Sequence, residues 1–184
     1  MSGPRLAPAT RRDVGTRVWV LARLAGRVTG TEPPGVFLAL GRTRGLFWGW
    51  LHFAGRLMPG GRLPRRDTEL VILRVAAVRR SAYERAQHER LARRAGLTSD
   101  EITAVAASDP LAGEPGQRWS ARQRLLLEAT DELLETDDLG DTTWSAVQAE
   151  LGDRCAVELV LLVTHYRMLA TTLATLRVPV DRRR

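Results

Sequence analysis

Apolar side chains recur every three or four positions along most of the chain, which is the period of an amphipathic helix. The first such segment covers residues 14–28, and one face of it would carry Val18, Leu21, Leu24 and Ala25. No segment shows the strict alternation of apolar and polar residues that is typical of a half-buried strand. The pattern therefore predicts an all-α protein.

Proline and glycine divide the helical pattern into separate elements. Pro33, Pro34 and Gly35 end the first segment, because proline lacks an amide hydrogen and has a fixed φ. Glycine-proline loops are also predicted at residues 58–64 and 109–116. The remaining predicted helices cover two short segments within residues 37–57, split near Gly41 to Gly45, and then residues 65–79, 82–95, 98–107, 121–135, 141–150 and 155–176.

Capping signals mark several of these helix starts. Thr98 with Glu101 and Ser120 with Gln123 have the spacing of a capping box, in which a hydroxyl and a carboxyl or amide satisfy each other's backbone amides. Asp141 and Asp153 are further predicted N-caps. Gly96 follows a helical segment at the position where a left-handed residue ends a helix. These signals predict a bundle of helices joined by short loops.

Composition and charge exclude few functions. No apolar run reaches the roughly 20 uninterrupted residues of a membrane span, since Glu158, His165 and Arg167 interrupt residues 156–169, the most apolar stretch. No apolar segment follows the first arginines directly, so a secretory signal is not predicted and a cytoplasmic location is expected. The net charge of +7 comes entirely from scattered arginine. Without a basic patch or a known motif, this charge does not predict nucleic-acid binding.

The single cysteine, Cys155, limits the redox chemistry available to the chain. One thiol forms neither an internal disulfide nor a dithiol couple. Cys155 lies in a helical apolar series with Leu159 and Leu162, which favours a buried structural role. No group of cysteines and histidines has the spacing of zinc ligands, and no glycine loop has the form that binds phosphate. We therefore expect no metal and no cofactor.

Glu69, Glu84 and His88 are the residues best suited to catalysis. Glu84 and His88 lie four positions apart on one predicted helix and share a face. Glu69 lies on the preceding helix, where antiparallel packing could bring it close to His88. A carboxylate that orients an imidazole forms a proton-transfer pair. Two structural alternatives remain open: Ser81 and Glu84 could form a capping box, and Glu84 with His88 could be a surface pair.

The same residues carry a resemblance to a known family. Residues 63–76, 81–84, 88 and 92–97 resemble the core motif of the carboxymuconolactone decarboxylase and alkylhydroperoxidase D (AhpD) superfamily. The peroxidase branch has the spacing Glu-x11-Cys-x2-Cys-x3-His, and this chain has Glu69-x11-Ser81-x2-Glu84-x3-His88. The glutamate and histidine are in register and both cysteines are absent. Residues 50–57 and 165–170 also look like long members of the family, so the resemblance covers most of residues 47–181.

The resemblance implies an AhpD-like bundle of about eight helices that forms homo-oligomers, trimers or larger. It implies residues 31–181 as the family domain, residues 1–30 as an N-terminal extension with one helix, and residues 182–184 as a basic tail. Serine and glutamate cannot perform thiol chemistry, so peroxidase activity is not expected. The decarboxylase-like branch that lacks the cysteine pair instead implies a cofactor-free acid–base enzyme, a decarboxylase, lyase or isomerase. Its substrate would be a small carboxylated or enolisable molecule.

Within this expectation, His88 would be the general acid or base, Glu84 its partner and Glu69 the orienting carboxylate. Ser81, Tyr83, Arg74 and His165 are further candidates for the pocket, with Arg74 proposed to hold a substrate carboxylate. A structural ion pair is the alternative for Arg74, and packing is the alternative for Tyr83 and His165. His52 lies among aromatic residues and is expected to be packed. The alternative function is a non-catalytic oligomeric binding protein with a vestigial site. No nucleic-acid or membrane partner is expected.

Overall fold

A computed structural model describes residues 3–112, 116 and 118–183, and their regular structure is helical. The helices are α1 (Arg11–Val14), α2 (Thr16–Thr29), α3 (Gly35–Leu40), α4 (Gly45–Leu57), α5 (Arg65–Val78), α6 (Ala82–Arg94), α7 (Ser99–Ala104), α8 (Ala121–Thr136) and α9 (Asp141–Leu176). A short 3-10 turn, Gly41–Thr43, separates α3 from α4. The described residues contain one isolated β-bridge, Thr31 with Arg183, and no strand. The all-α prediction is confirmed.

The local signals of the sequence account for most helix boundaries. The capping boxes of Thr98 with Glu101 and of Ser120 with Gln123 are both formed. Gly96, with φ 92°, ends α6 in the left-handed region as its position predicts. The helix that begins after Thr98 is shorter than expected, since α7 ends at Ala104. The predicted loop at residues 109–116 lies partly outside the described residues.

The chain forms two compact units. Residues 1–54 together with 171–184 make one unit, and residues 55–170 make the other. The predicted division at residue 30 is a different one and stays a prediction. Residues 1–30 hold two helices, α1 and α2, where one was expected.

The first unit has a small aromatic core. Val14, Val18 and Phe47 are buried in it. Phe37 packs edge-on against Phe47 and Trp50 at centroid distances of 5.8 and 6.0 Å, and Trp50 packs in a tilted arrangement against Phe47 at 5.7 Å. Such edge-to-face contacts suit the charge distribution of aromatic rings. Leu24, expected on the buried face of α2, is half exposed, so that expectation is wrong. The buried face of α2 is centred on Val18 and Ala22 instead.

The second unit is built around α5, which packs against α6 and α8. Ten consecutive residues of α5, from Asp67 to Ala76, are buried. A helix that is buried on all sides must contain its polar side chains within the core, where each needs a partner. The hydrophobic core to which α5 contributes consists of Leu70, Leu73, Ala92, Leu97, Ile102, Val105, Trp119 and Leu127. This burial is what places Glu69 inside the protein.

Helix α9 is long and apolar enough to cross a membrane by length and composition alone. Its backbone is interrupted at Gly152, where φ is 72° and ψ is 160°, close to the break that the sequence predicts between residues 150 and 155. Within the second unit the helix buries a continuous side that includes Leu159, Leu162, Val163 and Tyr166. A core helix of a helical domain needs such an apolar side. Its composition is therefore weak evidence for a membrane span.

Candidate active site

Glu69 is completely buried on α5 and has two partners. Oε1 lies 2.8 Å from Nη2 of Arg65, one turn earlier on the same helix. Oε2 lies 2.8 Å from Nδ1 of His88 on α6. The antiparallel packing expected from the sequence therefore brings Glu69 and His88 together. The guanidinium and the imidazole compensate the charge of the buried carboxylate, although Oε1 makes only an ion pair and has no hydrogen bond among the described residues.

The contact with Glu69 fixes the role of the His88 ring. Because the Glu69 carboxylate is an acceptor, Nδ1 of His88 carries the hydrogen and donates it. Nε2 then keeps its lone pair and is the nitrogen that can accept a proton. His88 is 6% exposed, so the pair is largely shielded from solvent. This is the arrangement of an oriented general base.

Glu84 is buried beside this pair, and its carboxyl has no hydrogen-bond partner among the described residues. The Ser81 hydroxyl accepts from the backbone N–H of Glu84 at 3.4 Å, so Ser81 caps α6. The reciprocal half of a capping box is missing, because the N–H of Ser81 donates to the carbonyl of Ala76 at 2.8 Å. The helix cap therefore uses Ser81 and leaves the Glu84 carboxyl free.

Burial raises the pKa of Glu84 to about 7. The cause is loss of hydration of the ionised carboxylate, which the protein does not replace. The Ser81 hydroxyl lies near the carboxyl, outside hydrogen-bonding geometry, and opposes the shift only in part. The surface pair of Glu84 with His88 that the sequence left open is excluded, since both side chains are buried. Glu84 can both donate and accept a proton near neutral pH.

Tyr166 of α9 completes the site, and the sequence did not identify it. Its ring contacts that of His88 edge-on at a centroid distance of 5.1 Å, and that of His165 at 5.2 Å. Its hydroxyl donates to the sulfur of Met58 at 3.6 Å. Burial and the charges of Glu69 and Glu84 raise the pKa of Tyr166, and Arg65 acts in the opposite direction. The phenol is therefore neutral and remains an O–H donor.

His165 and Tyr83, both pocket candidates, are buried, at 5% and 6% exposure. Burial lowers the pKa of His165 to about 4, so its ring is neutral at physiological pH. The structure places His165 against Tyr166 rather than against the Glu69–His88 pair. Tyr83 lies in the first turn of α6, directly before Glu84. His52, expected to be packed, is exposed, so that expectation is wrong.

Arg74 has a structural environment. Its Nε and Nη2 contact the two oxygens of Asp131 at 2.5 and 2.9 Å. Its remaining N–H groups donate to the carbonyls of Val105, Ala107 and Ser108 at 3.1, 2.6 and 3.4 Å. All five donors of the guanidinium are thereby used. The suggestion that Arg74 holds a substrate carboxylate is not supported, and these contacts favour the structural ion pair.

Metal and thiol groups are scarce near this site. In the part of the chain that the structure describes, no three histidine, cysteine, aspartate or glutamate side chains are arranged to hold a metal ion. Cys155 is a free, partly buried thiol on α9. The positions of the peroxidase cysteine pair carry the N-cap Ser81 and the buried acid Glu84. An oriented imidazole and a neutral carboxylic acid are groups that can transfer protons.

Comparison with known proteins agrees with the resemblance seen in the sequence. Residues 44–123 match the carboxymuconolactone decarboxylase family, and this segment contains Glu69, Ser81, Glu84 and His88. No curated protein sequence matches the chain. The match covers less than half of the chain, and it shows that this segment is similar to the carboxymuconolactone decarboxylase family, as the resemblance in the sequence implied.

Solved structures show the same fold at low sequence identity. A peroxidase-related protein with an AhpD core from Ralstonia eutropha JMP134 is 15% identical, with a TM-score of 0.82 over 98% of this chain and 93% of that one. A peroxidase-related protein from Silicibacter sp. TM1040 is 13% identical, with a TM-score of 0.79 over 97% and 94%. The debrominase Bmp8 is 13% identical, with a TM-score of 0.72 over 94% and 90%. At this identity the three structures establish the fold alone.

Proposed function

We propose that this protein is a cofactor-free acid–base enzyme, a decarboxylase, lyase or isomerase, that acts on a small carboxylated or enolisable molecule. The observation that carries the proposal is the buried Glu69–His88 pair, 2.8 Å apart, together with a buried Glu84 carboxyl on the same helix as His88 that has no hydrogen-bond partner among the residues described. A protein that used these groups only for stability would satisfy Glu84, because an unpaired buried polar group costs about 1–3 kcal/mol.

The chemistry follows from the protonation states. Nε2 of His88 takes a proton from the carbon next to a carbonyl, and the electron pair of the broken C–H bond moves into the carbonyl to form an enolate. The protonated carboxyl of Glu84 then gives a proton to another position of this enolate. In a decarboxylation the electron pair of the broken C–C bond forms the enolate, and Glu84 protonates it. Glu69 holds the imidazole and stabilises its charged form.

Proton exchange tests this proposal without knowledge of the full reaction. The protein is incubated in D2O with a panel of small ketones, lactones and carboxylic acids, and deuterium incorporation at carbon is followed by NMR. We expect exchange with the wild-type protein and a loss of about 100-fold or more in His88→Gln, since a positioned base contributes that much, whereas Glu84→Gln should lose deuterium delivery to the second carbon position and keep exchange at the first. The assay measures the first proton transfer directly.

Glu89→Gln is the matched control, because Glu89 lies on the same helix and pairs only with exposed or half-exposed arginines on the surface. It should exchange at the wild-type rate. Circular dichroism confirms that each variant is folded. Exchange that persists unchanged in folded His88→Gln would show that the assignment of His88 as the base is wrong. A binding protein with a vestigial site, the second candidate, would give no exchange above background in any variant.

A further inference from the structure

The buried site contains polar atoms that no protein group satisfies. Nη1 of Arg65 is inaccessible to solvent and has no hydrogen-bond partner among the described residues, although Nη2 is paired with Glu69. Both carboxyl oxygens of Glu84 are likewise buried and have no hydrogen-bond partner in the described part of the chain. Buried polar groups are almost always paired in proteins, so each exception requires an explanation. Unpaired donors and acceptors at one site are what a bound polar molecule would satisfy.

Arg65 differs in this respect from the other arginines of α5. Arg66 donates to the carbonyl of Gly96 and pairs with Glu101. Arg74 uses all its donors on Asp131 and on three carbonyls. Among the arginines of α5, Arg65 is therefore the one with a buried nitrogen that lacks a partner among the described residues, and it is already anchored through Glu69 to His88. An anchored guanidinium loses little further freedom when it binds a ligand.

Tyr166 supplies a second donor to the same region. In the part of the chain that the structure describes, the partner of its hydroxyl is the sulfur of Met58, and a thioether is a weak acceptor. Its ring lies edge-on against His88, so the phenol is held beside the proton-transfer pair. The charges of Glu69, Glu84 and Arg65 each act on Tyr166, so each of these groups lies within electrostatic range of the phenol. A stronger acceptor than sulfur would take the O–H.

We propose that Arg65 and Tyr166 recognise an anionic oxygen of the substrate, a carboxylate, and hold it beside His88 and Glu84. This inference rests on the proposed function and deepens it by naming the groups that select the substrate. A carboxylate is a strong acceptor for a guanidinium N–H and for a phenol O–H, and Nη1 of Arg65 and the Tyr166 hydroxyl are the donors without a strong partner among the described residues.

The charges at the site permit an anion but do not by themselves favour it, and the hydrogen-bond donors of Arg65 and Tyr166 supply the preference over a neutral ligand. The positive charge of Arg65 and the negative charge of Glu69 cancel, and a protonated Glu84 adds none. A carboxylate bound at Nη1 therefore meets a cation without meeting an unpaired anion. Once Glu84 ionises, it repels such a ligand. The structural alternative is that Arg65 only neutralises buried Glu69, and it predicts no preference between charged and neutral ligands.

Paired ligands separate the two roles. The probes are benzoate and 5-oxotetrahydrofuran-2-carboxylate, each compared with its own neutral amide, and their dissociation constants are measured by ligand-observed NMR at pH 6. We expect the acids to bind at least about tenfold more tightly than the amides to the wild-type protein. Arg65→Gln should remove this preference, and Tyr166→Phe, which keeps the ring against His88, should weaken the acids about threefold or more.

Two further variants make the result decisive. Arg65→Lys keeps a charge beside Glu69 but loses the planar fork, so it should retain part of the preference even where Arg65→Gln does not fold. Arg85→Gln removes an exposed arginine of α6 and should change nothing. Acids and amides that bind the wild-type protein equally, or an acid preference that survives in both Arg65 variants, would overturn the inference.

The failure of this inference can be told apart from failure of the proposed function. His88→Gln should still bind the acids with nearly wild-type affinity, because His88 contributes no donor to the carboxylate. A preserved acid preference together with absent proton exchange contradicts the enzyme proposal alone. Exchange that depends on His88 but shows no acid preference contradicts the recognition role of Arg65 and Tyr166 alone.

Discussion

Glu84 shows how one residue changes meaning with its surroundings. In the sequence it is the third residue of a helix that begins after Ser81, where a glutamate usually accepts a hydrogen bond from the N-cap amide. In the structure the Ser81 amide donates to the carbonyl of Ala76 instead, and the Glu84 carboxyl is buried without a hydrogen-bond partner among the described residues. A residue that would stabilise a helix becomes an acid with a pKa of about 7.

This shift predicts how stability depends on pH. The pKa of Glu84 is raised from 4.5 to about 7 in the folded state, so between these values the folded protein holds a proton that the unfolded chain has lost. Stability should therefore fall as pH rises through this window and stay level above it. At about 1.4 kcal/mol for each pKa unit, the ionised Glu84 destabilises the fold by about 3 kcal/mol at pH 8.

Chemical denaturation of wild-type protein and of Glu84→Gln at pH 5 and pH 8 measures this effect. Glutamine mimics the neutral acid, so the variant should be more stable than wild type at pH 8 and similar at pH 5. The other titratable groups are present in both proteins, so their contributions cancel in the difference. Equal stability of the two proteins at pH 8 would show that ionisation of Glu84 does not destabilise the folded protein.

Elements place these residues, and α9 is the clearest case. It brings Tyr166 and His165 to the site, and it begins with a segment set off by Gly152. The backbone at Gly152 has φ 72° and ψ 160°, a combination that is open essentially to glycine alone. The caps and breaks of the other helices follow from similarly local causes.

Gly152→Ala tests the role of this break. A Cβ at Gly152 meets no neighbouring atom within 4 Å, so any loss of stability comes from backbone strain, about 1–3 kcal/mol. Gly55→Ala is the matched control, since Gly55 is helical and equally free of neighbours, and alanine there should be neutral or slightly stabilising. Thermal and urea denaturation of both variants gives the comparison. A Gly152→Ala protein as stable as Gly55→Ala would contradict the strained geometry.

At the scale of the whole molecule, apolar side chains remain exposed on several helices. On α9 they form one line, Val157, Leu161 and Met168, each between 41% and 51% exposed. Residues at these spacings lie on the same side of a helix. On α4 of the other unit, Leu46, Trp48 and Phe53 are exposed as well. Contiguous apolar surface on a protein marks an interaction site.

We expect this chain to form homo-oligomers, as its resemblance to the carboxymuconolactone decarboxylase and AhpD superfamily implies. Sedimentation velocity of the wild-type protein should show a species larger than a monomer of 20.4 kDa. Leu161→Glu with Met168→Glu should shift the distribution towards monomer, because a charge at an apolar contact is costly to bury. Val78→Glu, at an isolated exposed position, is the control and should not change it. A wild-type protein that sediments as a monomer at every concentration would contradict the expectation.

The sequence by itself determined the helices, most of their ends and the central pair of the site. Apolar spacing, caps and breakers act over a few residues, so they can be seen without the fold. The separations among Glu69, Ser81, Glu84 and His88 place all four on two consecutive helices, and the absence of a cysteine pair is visible in the composition. These local patterns could not show that Arg74, the candidate for holding a substrate carboxylate, is used in structural contacts and that Arg65 is the better candidate.

Only the tertiary structure decided which polar groups are paired. The hydrogen-bond donors of Arg74 are all used by Asp131 and by carbonyls beyond α6. Nη1 of Arg65, by contrast, has no hydrogen-bond partner among the described residues. In the sequence the two residues are both arginines on one helix and cannot be told apart. Tyr166 reaches His88 from a helix far along the chain. Burial and pairing depend on which distant elements pack together, and desolvation then sets the proton affinity of Glu84. Local sequence patterns therefore predict the helices, whereas long-range packing buries Glu84 and raises its pKa.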